Sequence, residues 1–127
     1  MKHLALSRLL AFLAAGAALA VLPLAARAGD MPKSGGEITV TGEVLDMACY
    51  LDHGAQGEKH ADCARKCISS GLPVGIKGAD GTVYLLIGEH VPANAELAQY
   101  AAKTITVKGK AASRDGINLL ENIEIVK

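Results

Sequence analysis

The sequence is poor in aromatic residues and has no excess of either charge, and both shortages limit the partners it can have. It contains no tryptophan, one phenylalanine and three tyrosines, and its 13 basic residues match its 13 acidic residues. Nucleic-acid binding needs a basic surface, and single-strand binding adds aromatic side chains for base stacking. We therefore expect no nucleic-acid partner. The sequence also lacks a Ser-His-Asp pattern, a phosphate-binding loop and a pair of catalytic carboxylates, so an enzyme is the less favoured class.

The N-terminal segment has the pattern of a secretion signal. Residues 1–28 combine a basic start, an apolar run and an A-R-A site at 26–28, without the basic cluster that follows a retained anchor. We predict a cleaved signal peptide over 1–28, a periplasmic or secreted protein, and no membrane association after cleavage. Residues 29–36 are rich in glycine and predict a flexible leader. Removal of 1–28 leaves more acidic than basic residues, which also argues against anionic membranes as partners.

Alternating apolar and polar residues predict a mainly β domain over 37–127 with five strands. Two Asp-Gly pairs mark hairpins, and two helices are predicted, one over 58–70 and one capped by Asn94. The order of these elements predicts a five-stranded OB-like small barrel with two helices, in which residues 49–71 form a Cys/His insert after the first strand. Because the five strands are complete without the insert, we expect Cys49→Ser, which removes the anchor of the helix to the first strand, to free that helix while the barrel stays folded.

All three cysteines and two of the four histidines lie within residues 49–67, in the pattern C-x3-H-x6-H-x2-C-x3-C. On a helix, His60, Cys63 and Cys67 occupy positions i, i+3 and i+7. Their directions differ by at most about 60°, so all three project from one face. Two thiol groups and one imidazole are therefore predicted to share a single face of the helix.

Cys49 lies just upstream, where the first strand is predicted to end and glycines allow the chain to fold back over this helix. Cys49 is therefore the predicted fourth member of the cluster. His53, in the loop, is the reserve candidate. Met47 is two residues before Cys49, so on an extended strand it would share the same face and offer a thioether sulfur.

Three interpretations of the cluster remain open. A Cys3His set suits zinc, and soft sulfur ligands suit Cu(I), so the chain is interpreted first as a metal-binding or metal-handling accessory protein. The second interpretation is a disulfide from Cys49 to one helical cysteine, which staples a binding module for a periplasmic protein partner. The third is a thiol redox protein, since basic residues near a helix start can activate a thiol.

Four other polar residues are predicted to have no role in binding or catalysis. Asp46, Asp52 and Asp62 are predicted to be solvated turn or helix carboxylates. His90 is predicted to be a surface residue at the end of a strand.

The segment continues into a recognisable series of short motifs, namely C-Y-L, paired glycines, H-x2-C-A-x2-C, G-x-P-x-G and an Asp-Gly hairpin. The matching residues are Cys49-Tyr50-Leu51, Gly54, Gly57, His60, Cys63-Ala64, Cys67, Gly71, Pro73, Gly75 and Asp80-Gly81. This series resembles a signature of small exported bacterial proteins with an OB-like fold. The resemblance implies that the cysteine-histidine cluster is the feature such proteins share, and it implies no particular activity.

Overall fold

The computed structural model describes residues 35–127, so the predicted signal peptide and most of the predicted leader lie outside the described residues. The strands are β1 (Glu37–Asp46), β2 (Val74–Gly78), β3 (Val83–Leu86), β4 (Thr104–Arg114) and β5 (Ile117–Val126). They form a closed barrel in the order β1-β2-β3-β5-β4, in which β4 pairs back onto β1. The β3–β5 pairing is parallel and the other pairings are antiparallel. The predicted five-stranded barrel is confirmed, and its order is consistent with an OB-like fold.

Within the described part of the chain, three short helices accompany the barrel, rather than the two that the sequence predicts. They are α1 (Met47–His53), α2 (Ala61–Ser69) and α3 (Asn94–Leu97), and 3₁₀ turns precede α2 (Glu58–His60) and follow α3 (Ala98–Tyr100). Within residues 35–127, no helix has the length and apolar character needed to cross a membrane.

The unpredicted helix, α1, begins where the first strand is expected to continue. Asp46 ends β1 and caps α1, because its carboxylate accepts hydrogen bonds from the backbone N–H groups of Ala48 and Cys49, each at 3.2 Å. Gly54 ends α1 in a left-handed conformation with φ 70°. The prediction that Met47 and Cys49 lie on an extended strand is therefore wrong.

Helix α2 completes the hydrophobic core. Ile68 is fully buried and Ala64 is 8% exposed, and both belong to the same apolar cluster as the barrel residues Val44, Val107 and Leu120. Removal of α2 would therefore expose the inside of the barrel to water. The structure argues against the expectation that this helix detaches while the barrel stays folded.

Asn94 holds α2 in place instead of capping α3. Its side-chain amide donates to the carbonyl oxygens of Ile68 at 2.9 Å and Leu72 at 2.7 Å. These two bonds tie the end of α2 and the residue that follows its last turn to the start of α3. The N-cap position of α3 is Ala93, which corrects the predicted capping role of Asn94.

Ala102 has a left-handed backbone, with φ 59°, and its N–H donates to the carbonyl oxygen of Val44 at 2.9 Å. A side chain makes this conformation unfavourable by about 1 kcal/mol. We expect Ala102→Gly to raise the free energy of unfolding by roughly 1 kcal/mol, measured by denaturant titration. Ala101→Gly is the matched control and should lower it, because Ala101 has negative φ and is only 1% exposed. Equal destabilisation by both changes would contradict this account.

Candidate metal centre

The structure brings the three cysteine side chains together. The sulfur atoms of Cys49, Cys63 and Cys67 all lie within 4.8 Å of one another, and all three cysteines are free thiols. Cys49 comes from α1, and the other two come from successive turns of α2. Sulfurs this close can share one ion after small rotamer adjustments. We call these three residues the trithiol site.

The spacing of cysteines and buried residues along α2 explains why two of the thiols lie together at the edge of the core. Cys63 and Cys67 are four residues apart, so they lie one above the other on the helix. Each immediately precedes a buried residue, Ala64 and Ile68 respectively. The thiol face therefore borders the face that packs on the barrel, with Cys63 exposed and Cys67 half-buried.

The loop between α1 and α2 is fastened to the barrel and thereby places Cys49 near α2. The backbone N–H of Gly57 donates to the carboxylate of Glu43 on β1 at 2.5 Å, and the N–H of Ala55 donates to the carbonyl oxygen of Cys49 at 3.3 Å. Gly54 and Gly57 both have positive φ, at 70° and 78°, as a tight return of the chain requires.

Lys77 of β2 holds the same loop from the other side. Its ammonium group donates to the side-chain oxygen of Gln56 at 3.1 Å and lies 5.4 Å from the centre of the Tyr50 ring. The ammonium group thus contacts both α1 and the loop that follows it. These contacts join the insert to β2 as well as to β1.

Asp46 is the residue at the site whose position was not predicted from the sequence. The prediction of a solvated carboxylate is wrong, because the residue is only 2% exposed. It combines three roles: it ends β1, caps α1 and lies beside the Cys49 thiol. The sequence does carry a signal for this position: an aspartate that ends an alternating strand and precedes M-A-C-Y-L is a typical helix N-cap.

The buried carboxylate favours the protonated form of the neighbouring thiols. The pKa of Cys49 is raised from 9.0 to about 12, first because the Asp46 carboxylate accepts a hydrogen bond from the thiol, then through burial, the negative charge of Asp46 and the neighbouring Cys67. Burial raises the pKa of Cys67, and the charge of Asp46 adds to it. Both groups are thiols at neutral pH, so a metal ion must displace their protons.

Asp46→Asn should lower the pKa of Cys49, because asparagine keeps the N-cap but removes the negative charge that opposes the thiolate. At pH values below 9.0, alkylation of Cys49 should therefore become faster in the variant than in the wild type. Peptide mass mapping after timed alkylation measures the rate at each cysteine. The exposed Cys63 serves as the internal control. Identical pH profiles for Cys49 in both proteins would refute the assigned role of Asp46.

His60 lies in the 3₁₀ turn before α2, beside the trithiol site. Together with Asp46, Cys49 and Cys63 it lines a cavity of about 10 Å³, which is close to the space that one water molecule needs. The group of side chains within 4.8 Å consists of the three cysteines alone among the described residues, so ligation by His60 stays a prediction.

The remaining predicted residues lie elsewhere. His53 is exposed at the end of α1, and its Nδ1 lies 3.1 Å from the carboxylate of Asp52. Met47 is 7% exposed, and its sulfur occupies the space that a side chain at Gly75 would need. On a helix, residues two apart differ by about 200° in direction, so Met47 and Cys49 point to opposite sides. His90 is exposed, as predicted.

Comparison with family models, with curated proteins and with solved structures gives no match for this chain. The fold and the site together define a class: a small closed β-barrel that carries a trithiol site between two short helices. A function for the chain therefore has to follow from the chemistry of the site itself.

Proposed function

We propose that the protein binds a soft or borderline metal ion, Cu(I) or Zn²⁺, at the trithiol site. Its role is that of an exported metal-handling or metal-stabilised accessory protein. The observation that supports this most strongly is the convergence of three free thiols within 4.8 Å. Thiolates are preferred ligands of both ions, and a structural zinc site takes a fourth donor, for which His60 on the cavity wall is our candidate.

The space at the site supports an ion rather than an organic substrate. The adjoining cavity measures about 10 Å³, whereas sites for small organic ligands are typically some 300 Å³ or more. The cavity is lined by the end of β1, by insert residues that include Cys49 and Cys63, and by Ala102. A space of this size suits a single atom rather than a molecule.

An alternative function is favoured by the same short distances. The half-buried thiols of Cys49 and Cys67 are near enough to form a disulfide that joins α1 to α2. The protein would then be a disulfide-stapled binding module for a protein partner, and the exposed Cys63 would remain a free thiol. Metal binding uses all three cysteines, whereas a disulfide leaves one unused, so we place the metal site first.

Elemental analysis combined with thiol titration separates the two functions. The protein is purified from the exported fraction without chelators, and its thiols are counted after unfolding. One equivalent of metal and all three thiols support the metal site. Absence of metal together with a single titratable thiol supports the disulfide-stapled module. The same purification tests export, because intact mass shows whether residues 1–28 have been removed.

A further inference from the structure

The trithiol site offers three sulfur donors. Within residues 35–127, no histidine, carboxylate or further cysteine joins the group in which all donor atoms lie within 4.8 Å. A tetrahedral ion such as Zn²⁺ is incomplete with three ligands. Trivalent arsenic forms three covalent bonds in a pyramid and carries a lone pair at the fourth corner. Three converging sulfurs therefore satisfy it completely.

The charge around the site also distinguishes between possible occupants. The carboxylate of Asp46 is 2% exposed and lies beside Cys49. Three thiolates around Cu(I) leave two negative charges next to this carboxylate, and around Zn²⁺ they leave one. Around trivalent arsenic they leave none, which is the least costly outcome beside a buried negative charge.

We propose that the trithiol site also captures trivalent arsenic, supplied as arsenite, through three As–S bonds. The proposal rests on the proposed function, because it uses the same three cysteines, and it adds a further class of ligand. Arsenous acid, As(OH)₃, reacts with the three thiols. Three As–O bonds break, three As–S bonds form, and each thiol proton leaves with a hydroxyl group as water. No electrons are transferred, so no oxidant or reductant is needed.

The exposures of the three cysteines give an order of reaction. Cys63 is exposed, whereas Cys49 and Cys67 are half-buried, so arsenite meets Cys63 first. The two remaining thiols then react within the same molecule, where a tethered partner is present at a high effective concentration. The thiols are already within 4.8 Å, so closure of the second and third bonds needs little reorganisation. The exposed thiol thus initiates capture and the two half-buried thiols complete it.

The test uses the full exported protein, fully reduced and freed of metal, and sodium arsenite as the probe. Intact-mass spectrometry under non-denaturing conditions should show a gain of one arsenic atom less three hydrogen atoms. Thiol titration of the same sample should show loss of all three reactive thiols. Arsenate, which is pentavalent, serves as the matched control and should give no adduct without a reductant. Failure to form the adduct in excess arsenite, or an adduct that keeps a free thiol, would overturn the proposal.

Serine variants of the two half-buried cysteines test whether both of their sulfurs bond to arsenic. Cys49→Ser and Cys67→Ser should each lose the three-bond adduct and show at most a two-bond adduct that retains one hydroxyl on arsenic. Persistence of the three-bond mass in either variant would overturn the proposal. Zinc and Cu(I) binding are measured on the same wild-type sample. Binding of either ion without an arsenite adduct would refute the arsenite proposal and leave the proposed function standing.

Discussion

Cys49→Ser is expected to lower the affinity of the reduced protein for Cu(I) and Zn²⁺ by roughly two orders of magnitude or more, because it removes a charged sulfur donor and opens the coordination shell. Cys49 is the one thiol contributed by α1, so its loss leaves only the two cysteines of α2. Two thiols one helical turn apart provide an incomplete shell for either ion. Affinity is measured by competition against a chelator of known strength, with the protein fully reduced.

Met47→Leu is the matched control for this experiment. Met47 also carries sulfur and lies two residues away, but its side chain packs against Gly75 in the barrel wall. Leucine has a similar volume, so the fold should tolerate the change. We expect metal affinity to stay within a few-fold of the wild type. A loss as large as that of Cys49→Ser would show that the thioether is a ligand and that α1 turns a different face to the site.

Ile68→Ala is expected to lower the free energy of unfolding by about 2–5 kcal/mol, since it leaves a cavity at a fully buried position of the core. Because Ile68 lies on α2 but packs with barrel residues, the loss should appear in one cooperative transition. Denaturant unfolding is followed in parallel by circular dichroism and by the reactivity of the α2 thiols. Both signals should change at the same denaturant concentration.

The matched control is Ile117→Ala. Ile117 is the same residue type on a barrel strand but is 62% exposed, so its truncation should change stability by no more than about 0.5 kcal/mol. The account is contradicted if the thiols of α2 become reactive in a first transition while the barrel signal is unchanged. That result would show that the insert detaches from a folded barrel, as the order of strands alone suggests.

The strands were predictable because their signal is local. The last strand occupies Ile117–Val126, the segment that alternation indicates, and the Asp115-Gly116 turn before it has positive φ at both residues, 51° and 84°. Alternation needs only neighbouring residues, so strand assignment does not depend on the tertiary structure. The barrel order then follows from the sequence of strands and helices.

The parts of the site that could not be predicted depend on long-range contacts. Helix α1 has only seven residues, too few to be stable alone, and it exists because Asp46 and Gly54 cap its ends and the barrel supports it. The burial of Asp46 and its approach to Cys49 follow from that helix, so the pattern of apolar and polar residues in the sequence does not predict them. The side-chain amide of Asn94 donates to Ile68 of α2, which lies 26 residues earlier in the sequence. The residues around Asn94 do not predict this contact either.

The spacing of Cys63 and Cys67 could be interpreted directly, because both lie on α2 and a helical period brings their sulfurs to one side. His60 follows the same spacing but precedes the regular helix in a 3₁₀ turn, where the angular increment per residue differs. Its direction is therefore not fixed by the argument that places the two cysteines. Ligation by His60 stays a prediction, and we expect it to matter more for Zn²⁺, which favours four ligands, than for Cu(I).

The most direct test of the account is a competition titration of wild-type protein against the variant in which all three cysteines are serine. Reduced protein is titrated with Cu(I) and separately with Zn²⁺ in the presence of a chelator of known affinity. We expect the wild type to withdraw one equivalent of at least one ion from the chelator and the triple variant to withdraw none. If the two proteins compete equally for both ions, the trithiol site is not a metal site.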